Sequence, residues 1–117
     1  MILLDYDGTL VDFHDDPELA QPEEDLILLL KKLSGLPNTD LAIVSGRDQT
    51  FLDRFFGNLP IAMVAEHGYL IKLKNGCWTS RGSNQLKWQK DILPLLETFT
   101  DRTPGTFIEE KRNSLVW

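Results

Sequence analysis

Two aspartates, Asp5 and Asp7, come directly after the apolar residues 2–4 and just before a glycine and a threonine. Three interpretations fit such a pair: the carboxylates cap the next turn, open a calcium loop, or carry out phosphoryl transfer. A calcium loop of the EF-hand type requires glycine at its sixth position, where this chain has Leu10. In phosphoryl transfer, Asp5 would be the nucleophile and Asp7 the acid and base.

Phosphoryl transfer to a carboxylate needs a divalent cation, because the nucleophile and the phosphate are both anions. Mg²⁺ suits this task since it prefers oxygen ligands and keeps several waters. We therefore expect Mg²⁺ as the cofactor. Gly8 lets the backbone turn sharply, and we expect amides at this turn to face the phosphate.

Three apolar segments alternate with two helical segments in the first part of the chain. The apolar segments are residues 2–4, 40–45 and 61–65, and the helical segments are residues 21–33 and about 48–56. This alternation is typical of parallel strands joined by right-handed crossovers, with both faces of the sheet covered. The sequence therefore predicts an α/β fold with buried strands. All three strands would end in polar residues at one edge, where open parallel sheets bind ligands.

The ends and the buried face of the first helix are also predicted. Pro22 suits the first helical position and Gly35 suits the stop. Four leucines at positions i, i+3, i+4 and i+7 predict one buried stripe: Leu26, Leu29, Leu30 and Leu33. In the second helix, Asp48 is the predicted N-terminal cap.

The rest of the chain has a different pattern. Residues 69–80 alternate and contain Asn75-Gly76, which predicts a β-hairpin. Residues 85–100 are mostly helical in pattern, although Pro94 is expected to kink or split that helix. Residues 105–117 then predict a strand, a turn and a second strand. We infer a second layer that starts near residue 85.

Composition and charge exclude several classes of partner. The net charge is −6, and no run of lysine or arginine is longer than two residues. Nucleic acid and anionic membranes both require a clustered basic surface, so neither is expected as a partner. The single cysteine cannot form an intramolecular disulfide, and no apolar stretch approaches the length of a membrane span. We therefore expect a cytoplasmic protein.

Two motifs carry a resemblance to a known family. "DYDGTL" on the first strand, together with "VSGR" on the second, resembles the haloacid-dehalogenase superfamily of aspartate-nucleophile phosphatases. "IVSGRD", "AEHG" and above all "PGTFIEEKRNSLVW" are similar to trehalose-6-phosphate phosphatases, including the phosphatase part of fused synthase/phosphatase chains. The resemblance runs from Ile2 to Trp117.

The resemblance implies a fold and a phosphate site. It implies a haloacid-dehalogenase-like Rossmannoid core at residues 1–84, followed at residues 85–117 by the beginning of an α+β cap domain. It also implies that Ser45 donates its hydroxyl to the transferring phosphate, with Gly46 and Gly8 as further phosphate-binding residues. The Asp5 carboxylate and the Asp7 backbone carbonyl are implied to supply part of the Mg²⁺ site.

Four more residues are implied to bind the substrate, and each has a simpler interpretation. Arg47 would reach phosphate or sugar, or form a surface salt bridge. His67 would contact the sugar, or be structural. Glu109 and Lys111, two apart in an extended strand, would face a polyol side by side, or form a solvated ion pair.

The implied activity is Mg²⁺-dependent hydrolysis of trehalose 6-phosphate to trehalose and phosphate, with a sugar phosphate as substrate. Alternatives are a phosphatase of sucrose phosphate or a hexose phosphate, and a non-catalytic module of a sugar synthase. A fused or associated trehalose-phosphate synthase domain is a possible partner. The family also has a later lysine and an acidic pair that cannot be placed before Trp117. We therefore expect these 117 residues alone to have little activity and to bind Mg²⁺ weakly.

Overall fold

The structure, a computed structural model, describes residues 1–82 and 87–117. The chain divides into two compact units, Met1–Arg81 and Gly82–Trp117. The predicted boundary between residues 84 and 85 lies outside the described residues, so the division into core and cap at that point stays a prediction. No helix of the described part is long and apolar enough to cross a membrane.

A five-stranded mixed sheet with the order β1-β2-β3-β4-β5 forms the centre of the first unit. Its strands are β1 (Ile2–Asp5), β2 (Leu41–Val44), β3 (Ala62–Ala65), β4 (Leu70–Lys72) and β5 (Trp78–Ser80). The first three are parallel, and the last two continue the sheet as an antiparallel hairpin. The predicted α/β fold, its parallel strands and the hairpin are confirmed.

The register of the parallel strands brings their carboxyl ends to one edge. Asp5 pairs with Val44, and Val44 pairs with Val64. β1 was expected to be buried, which is wrong for this strand: Leu3 is 64% exposed, whereas Ile43 in β2 is fully buried. The difference arises because β1 is an outer strand of the described sheet, while β2 has a neighbour on each side.

Two α-helices lie between the parallel strands along the chain, α1 (Glu24–Ser34) and α2 (Gln49–Phe56). Gly35 ends α1 as predicted, and the Asp48 carboxylate caps α2 by accepting a 2.7 Å hydrogen bond from the backbone N–H of Phe51. Pro22 is not the first helical position, because Glu23 is the N-terminal cap of α1.

The buried face of α1 differs from the prediction by one leucine. Leu30 is 1% exposed, and Leu26, Ile27 and Leu33 pack against the core. Leu29 is 53% exposed, so its inclusion in the stripe was wrong. Helical spacing predicted a buried stripe through Leu30, but it did not show which neighbouring residues widen that stripe. In the structure Ile27 packs against the core, and Leu29 does not.

The core of the first unit is formed by apolar side chains from the sheet and both helices. The largest that are fully buried are Tyr6, Phe56, Leu30, Ile43, Leu52, Ile61 and Met63. Each such burial contributes about 1.5–3 kcal/mol relative to exposure. The core therefore holds the strand ends, and the loops that follow them, in fixed positions.

Asp53 of α2 attaches the hairpin to the helix. Its carboxylate accepts hydrogen bonds from Lys72 Nζ at 3.0 Å, Trp78 Nε1 at 2.7 Å and Gln49 Nε2 at 3.4 Å. Burial by itself raises the pKa of Asp53, but the hydrogen bonds from Lys72, Trp78 and Gln49 outweigh it and hold the pKa below its usual value. The charged form of Asp53 is therefore favoured by folding.

The second unit consists of one helix and one hairpin. The helix is α3 (Lys87–Arg102), and the hairpin strands are β6 (Glu109–Glu110) and β7 (Leu115–Val116), which confirms the predicted strand, turn and strand. α3 continues through Pro94 as one element, so Pro94 does not split it. The predicted start of this helix at residue 85 lies outside the described residues.

A substitution at Asp53 tests the attachment of the hairpin. A group with a lowered pKa stabilises the fold above its unfolded pKa and loses this effect as the pH falls through the folded value. Asp53→Asn should lower the free energy of unfolding at pH 7 by about 1 kcal/mol. The effect is modest because the Asp53 carboxylate is partly exposed to solvent. Urea unfolding followed by circular dichroism should show a smaller difference at pH 3. Asp15→Asn, at an exposed loop position, is the control. An equal loss at both pH values would contradict this account.

Candidate active site

Asp5 ends β1 at the carboxyl edge of the sheet. Asp5 pairs with Val44 of the neighbouring strand β2, and Ser45 is the residue that follows Val44. Asp5 is exposed, and its Oδ2 accepts a long 3.5 Å hydrogen bond from Thr9 Oγ1. The outer position of β1 in the described sheet leaves Asp5 open to solvent. Its oxygens are thus accessible to a phosphate or a cation.

The turn after Asp7 is closed by its own backbone. The Tyr6 carbonyl accepts from the amides of residues 9–11, and the Gly8 amide donates to the Val11 carbonyl at 2.7 Å. Gly8 has a φ of +79°, and a Cβ at this position would lie 2.5 Å from the Phe13 ring. The Gly8 amide is thus engaged within the loop, whose shape depends on glycine. A role of Gly8 in phosphate binding stays a prediction.

Ser45 follows β2 at the same edge and is 4% exposed. Its amide donates to the Val64 carbonyl at 2.9 Å, which extends the pairing of β2 with β3 by one bond. Its Oγ accepts a 3.0 Å hydrogen bond from the backbone N–H of Arg47. Since the hydroxyl is an acceptor in this bond, its own proton remains to be donated, as binding of a phosphate oxygen requires.

Arg47 and Asp7 form an ion pair across the two strand-end loops. Arg47 Nε donates to both carboxylate oxygens of Asp7, at 3.2 and 3.0 Å, and Nη2 donates to Oδ1. The side chains of Arg47 and Asp7 are 12% and 30% exposed. Such a forked, partly buried contact fixes the orientation of a carboxylate far better than a surface ion pair does.

The guanidinium of Arg47 also lies near two aromatic rings and donates to a backbone carbonyl. It lies 4.7 Å from the centre of the Phe51 ring and 5.7 Å from that of Tyr6. Its Nη1 donates to the Pro17 carbonyl at 2.6 Å, in a 3₁₀ turn at Pro17–Leu19. Arg47 thus connects the loop after β2 with the loop after β1.

Tyr6, between the two aspartates, is a site residue that the sequence reasoning missed. It is fully buried, packs edge-to-face on Phe51 and Phe56, and its hydroxyl donates to the Ala20 carbonyl at 2.7 Å. Burial, with a smaller contribution from the Asp7 charge, raises the pKa of Tyr6 to about 12 despite Arg47. The alternation of side chains along an extended chain could have predicted this burial. The residue between Asp5 and Asp7 faces the side opposite to that of the two carboxylates.

The segment Glu66–Gly68 after β3 forms a left-handed turn. Glu66, His67 and Gly68 have φ values of +48°, +55° and +99°. For the two non-glycine residues, such a conformation costs roughly 1–3 kcal/mol each. The turn is held by backbone hydrogen bonds from the Glu66 amide to the Arg47 carbonyl at 3.0 Å and from the His67 amide to the Ser45 carbonyl at 3.2 Å.

His67 is exposed and lies against Gly46. A Cβ on Gly46 would be 2.5 Å from His67 Cε1 and 2.7 Å from Nε2, so only glycine leaves room for the ring in this position. The structure therefore brings Asp5, Asp7, Ser45, Arg47 and His67 to the carboxyl edge of one sheet. Gly46 serves the packing of His67, a role that the sequence reasoning did not foresee.

Glu109 and Lys111 belong to the second unit. Lys111 Nζ lies 3.3 Å from Glu109 Oε2, and their side chains are 9% and 44% exposed. The backbone amide of Lys111 donates to the Ser114 carbonyl at 2.9 Å across the β6–β7 turn. The two side chains form an ion pair, although β6 ends at Glu110 and Lys111 follows it. Their contact with a sugar stays a prediction.

Potential metal ligands are sparse in the described residues, which contain no group of three or more His, Cys, Asp or Glu side chains placed to hold a metal ion. The exposed carboxylate of Asp5 and the backbone carbonyl of Asp7 are hard oxygen donors of the kind that Mg²⁺ prefers. The Asp7 carboxylate is engaged by Arg47 instead. By donor chemistry, Asp5 and the Asp7 carbonyl are therefore suitable for part of a divalent-cation site.

The motifs that meet at this edge are shared by a known family. A family model described as trehalose-phosphatase matches residues 3–117. The chain belongs to the trehalose-phosphatase family. The resemblance inferred from the sequence motifs is thereby confirmed.

Two curated proteins illustrate how this trehalose-phosphatase family chain relates to longer proteins. A bifunctional trehalose-6-phosphate synthase/phosphatase of Thermoproteus tenax is 42% identical over the whole chain, which covers 16% of that protein. A trehalose-phosphatase of Zygosaccharomyces rouxii is 40% identical, again over the whole chain and over 13% of that protein. The chain thus spans only a small part of the length of these relatives.

Solved structures agree with the family and the fold. The C-terminal domain of a C. albicans trehalose-6-phosphate phosphatase matches with a TM-score of 0.88 and 38% identity, over 93% of this chain and 38% of that one. A haloacid dehalogenase-like hydrolase from B. subtilis, at 20% identity, matches with a TM-score of 0.56 over 83% of this chain and 33% of that one. The predicted haloacid-dehalogenase-like fold is confirmed.

The packing of His67 on Gly46 predicts a rescue. Gly46→Ala should destabilise the chain by about 0.5–1.5 kcal/mol, because the new methyl group forces the imidazole out of its present rotamer. The double variant Gly46→Ala/His67→Ala should recover most of that loss, whereas His67→Ala alone should have a small effect. Thermal and urea unfolding of the four proteins measure the coupling. Additive effects of the two substitutions would contradict the contact.

Proposed function

We propose that the natural protein carrying this sequence is a phosphatase that hydrolyses trehalose 6-phosphate to trehalose and phosphate. The observation that supports it most directly is the placement of Asp5 beside the end of β2, where Ser45 follows. A nucleophilic carboxylate and a hydroxyl donor at one sheet edge are what transfer of a phosphoryl group to an aspartate requires. Family membership supports the choice of substrate.

The reaction would proceed in two steps. An oxygen of the Asp5 carboxylate attacks phosphorus, the bond from phosphorus to the sugar oxygen breaks, and Asp7 gives its proton to that oxygen. Water then attacks the aspartyl-phosphate, Asp7 takes the proton of the water, and the breaking bond returns the Asp5 carboxylate and releases phosphate. Ser45 would donate its hydroxyl to a phosphate oxygen throughout.

The proposed cofactor is Mg²⁺. Asp5, through its carboxylate, and Asp7, through its backbone carbonyl, would hold it within this chain. When bound, the ion neutralises charge between the carboxylate and the phosphate. The exposure of Asp5 supports this role, because an exposed carboxylate is accessible to a cation.

Four residues are sequence-based candidates for substrate contact: Arg47, His67, Glu109 and Lys111. The last two belong to the proposed cap at residues 85–117. The ion pair of Glu109 and Lys111 offers an acceptor and a donor side by side, which suits sugar hydroxyls. A trehalose-phosphate synthase domain, fused or associated, is a proposed partner, and a cytoplasmic location stays a prediction from the single cysteine.

A panel of sugar phosphates tests the activity and the substrate together. With Mg²⁺ present, the natural protein should release phosphate from trehalose 6-phosphate at least about tenfold faster, in kcat/KM, than from sucrose or hexose phosphates. Asp5→Asn should reduce release by a factor of about 10³ or more, because the amide is not a nucleophile. Comparable turnover of several sugar phosphates would favour the broader phosphatase. No release from any of them would favour a non-catalytic module of a synthase.

The 117 residues alone should be nearly inactive. The two oxygen donors found here fill only part of the six positions around Mg²⁺, so we expect weak metal binding and little phosphate release. Malachite-green assays of the isolated chain and of the natural protein, with equal Mg²⁺, measure the difference. A rate for the isolated chain close to that of the natural protein would contradict this expectation.

A further inference from the structure

Arg47 was a candidate for sugar or phosphate contact, but its surroundings suit a different task. Its Nε donates to the Asp7 carboxylate, and its Nη1 donates to the Pro17 carbonyl. Its Cζ lies 4.7 Å from the centre of the Phe51 ring and 5.7 Å from that of the Tyr6 ring. With a side chain only 12% exposed, Arg47 has little surface left for a substrate.

The partner of Arg47, Asp7, is the acid and base of the proposed reaction. Asp7 must exchange a proton with the leaving oxygen and later with water, and both transfers require the carboxylate at hydrogen-bond distance from the reacting atom. An aspartate on a turn has two freely rotating side-chain bonds. The fork of Arg47 restrains both, because it contacts the two oxygens of Asp7 at once.

We propose that Arg47 is a positioning residue that acts on the reaction through Asp7, rather than a residue that binds the sugar phosphate. This inference rests on the phosphatase function proposed above. The Pro17 carbonyl and the two aromatic rings hold the guanidinium in place, and the guanidinium holds Asp7. Because the guanidinium lies against the buried rings of Tyr6 and Phe51, Arg47 keeps the Asp7 carboxylate in one orientation.

This role requires an arginine and not merely a positive charge. Lysine presents a single point of donation on a flexible stem, so it cannot contact both Asp7 oxygens and the Pro17 carbonyl in one plane. Lysine should therefore preserve charge but lose the geometry.

The test compares Arg47→Lys and Arg47→Ala with matched changes at Arg54 in the natural protein. Arg54 is a suitable control, since it also lies over an aromatic ring, that of Phe55 at 4.9 Å, but outside the site. Both Arg47 variants should lose kcat by about 10²-fold, the cost expected for a misplaced catalytic group. KM for trehalose 6-phosphate should stay within about twofold. Free guanidinium should restore part of the kcat of Arg47→Ala, and methylammonium should not. The Arg54 variants should keep both constants.

Each outcome decides the proposal. A rise in KM with kcat retained would overturn it in favour of direct substrate binding. Loss of kcat without guanidinium rescue, together with a lowered Tm, would reduce Arg47 to a structural residue and also overturn it. Full activity of Arg47→Lys would show that a positive charge is enough to support catalysis, and it would overturn the proposed role of the arginine geometry. If the unsubstituted protein releases no phosphate, the phosphatase function itself fails, which is a separate result from any of these.

Discussion

Parallel pairing of β1 with β2 is the constraint on which the site depends. Because Asp5 is in register with Val44, the residues that follow β2 emerge beside the carboxylate that ends β1. An antiparallel pairing would send those residues to the opposite edge, and a shift by one residue would turn Ser45 to the other face of the sheet. The large buried core that includes Ile43 and Met63 fixes this register.

The loops beyond the strands are fixed by contacts with each other. The turn at Glu66–Gly68 donates two backbone hydrogen bonds to the loop that contains Ser45 and Arg47. Arg47 in turn holds Asp7, in the loop after β1. Polar residues from three strands thus form one connected arrangement. The strained φ values of Glu66 and His67 are maintained by these contacts, as is common where a turn must aim a side chain at a site.

The sequence predicted the elements better than the surroundings of individual residues. Alternating apolar segments, Asp48 as a cap and Asn75-Gly76 as a turn are local signals, and each was confirmed. The exposure of Leu29 and of β1 was missed, because burial depends on which neighbours a face meets in three dimensions. Nor could local pattern reveal the contact of Arg47 with Asp7, which joins residues forty positions apart.

A direct test of the central claim is the identity of the residue that carries the phosphoryl group. Mixing the natural protein with Mg²⁺ and trehalose 6-phosphate, then quenching and reducing with borohydride, converts an aspartyl-phosphate to homoserine. Peptide mass spectrometry should locate this change at residue 5. Homoserine at residue 7 instead, or rapid release of phosphate with no change at either aspartate, would contradict the assignment of Asp5 as the nucleophile.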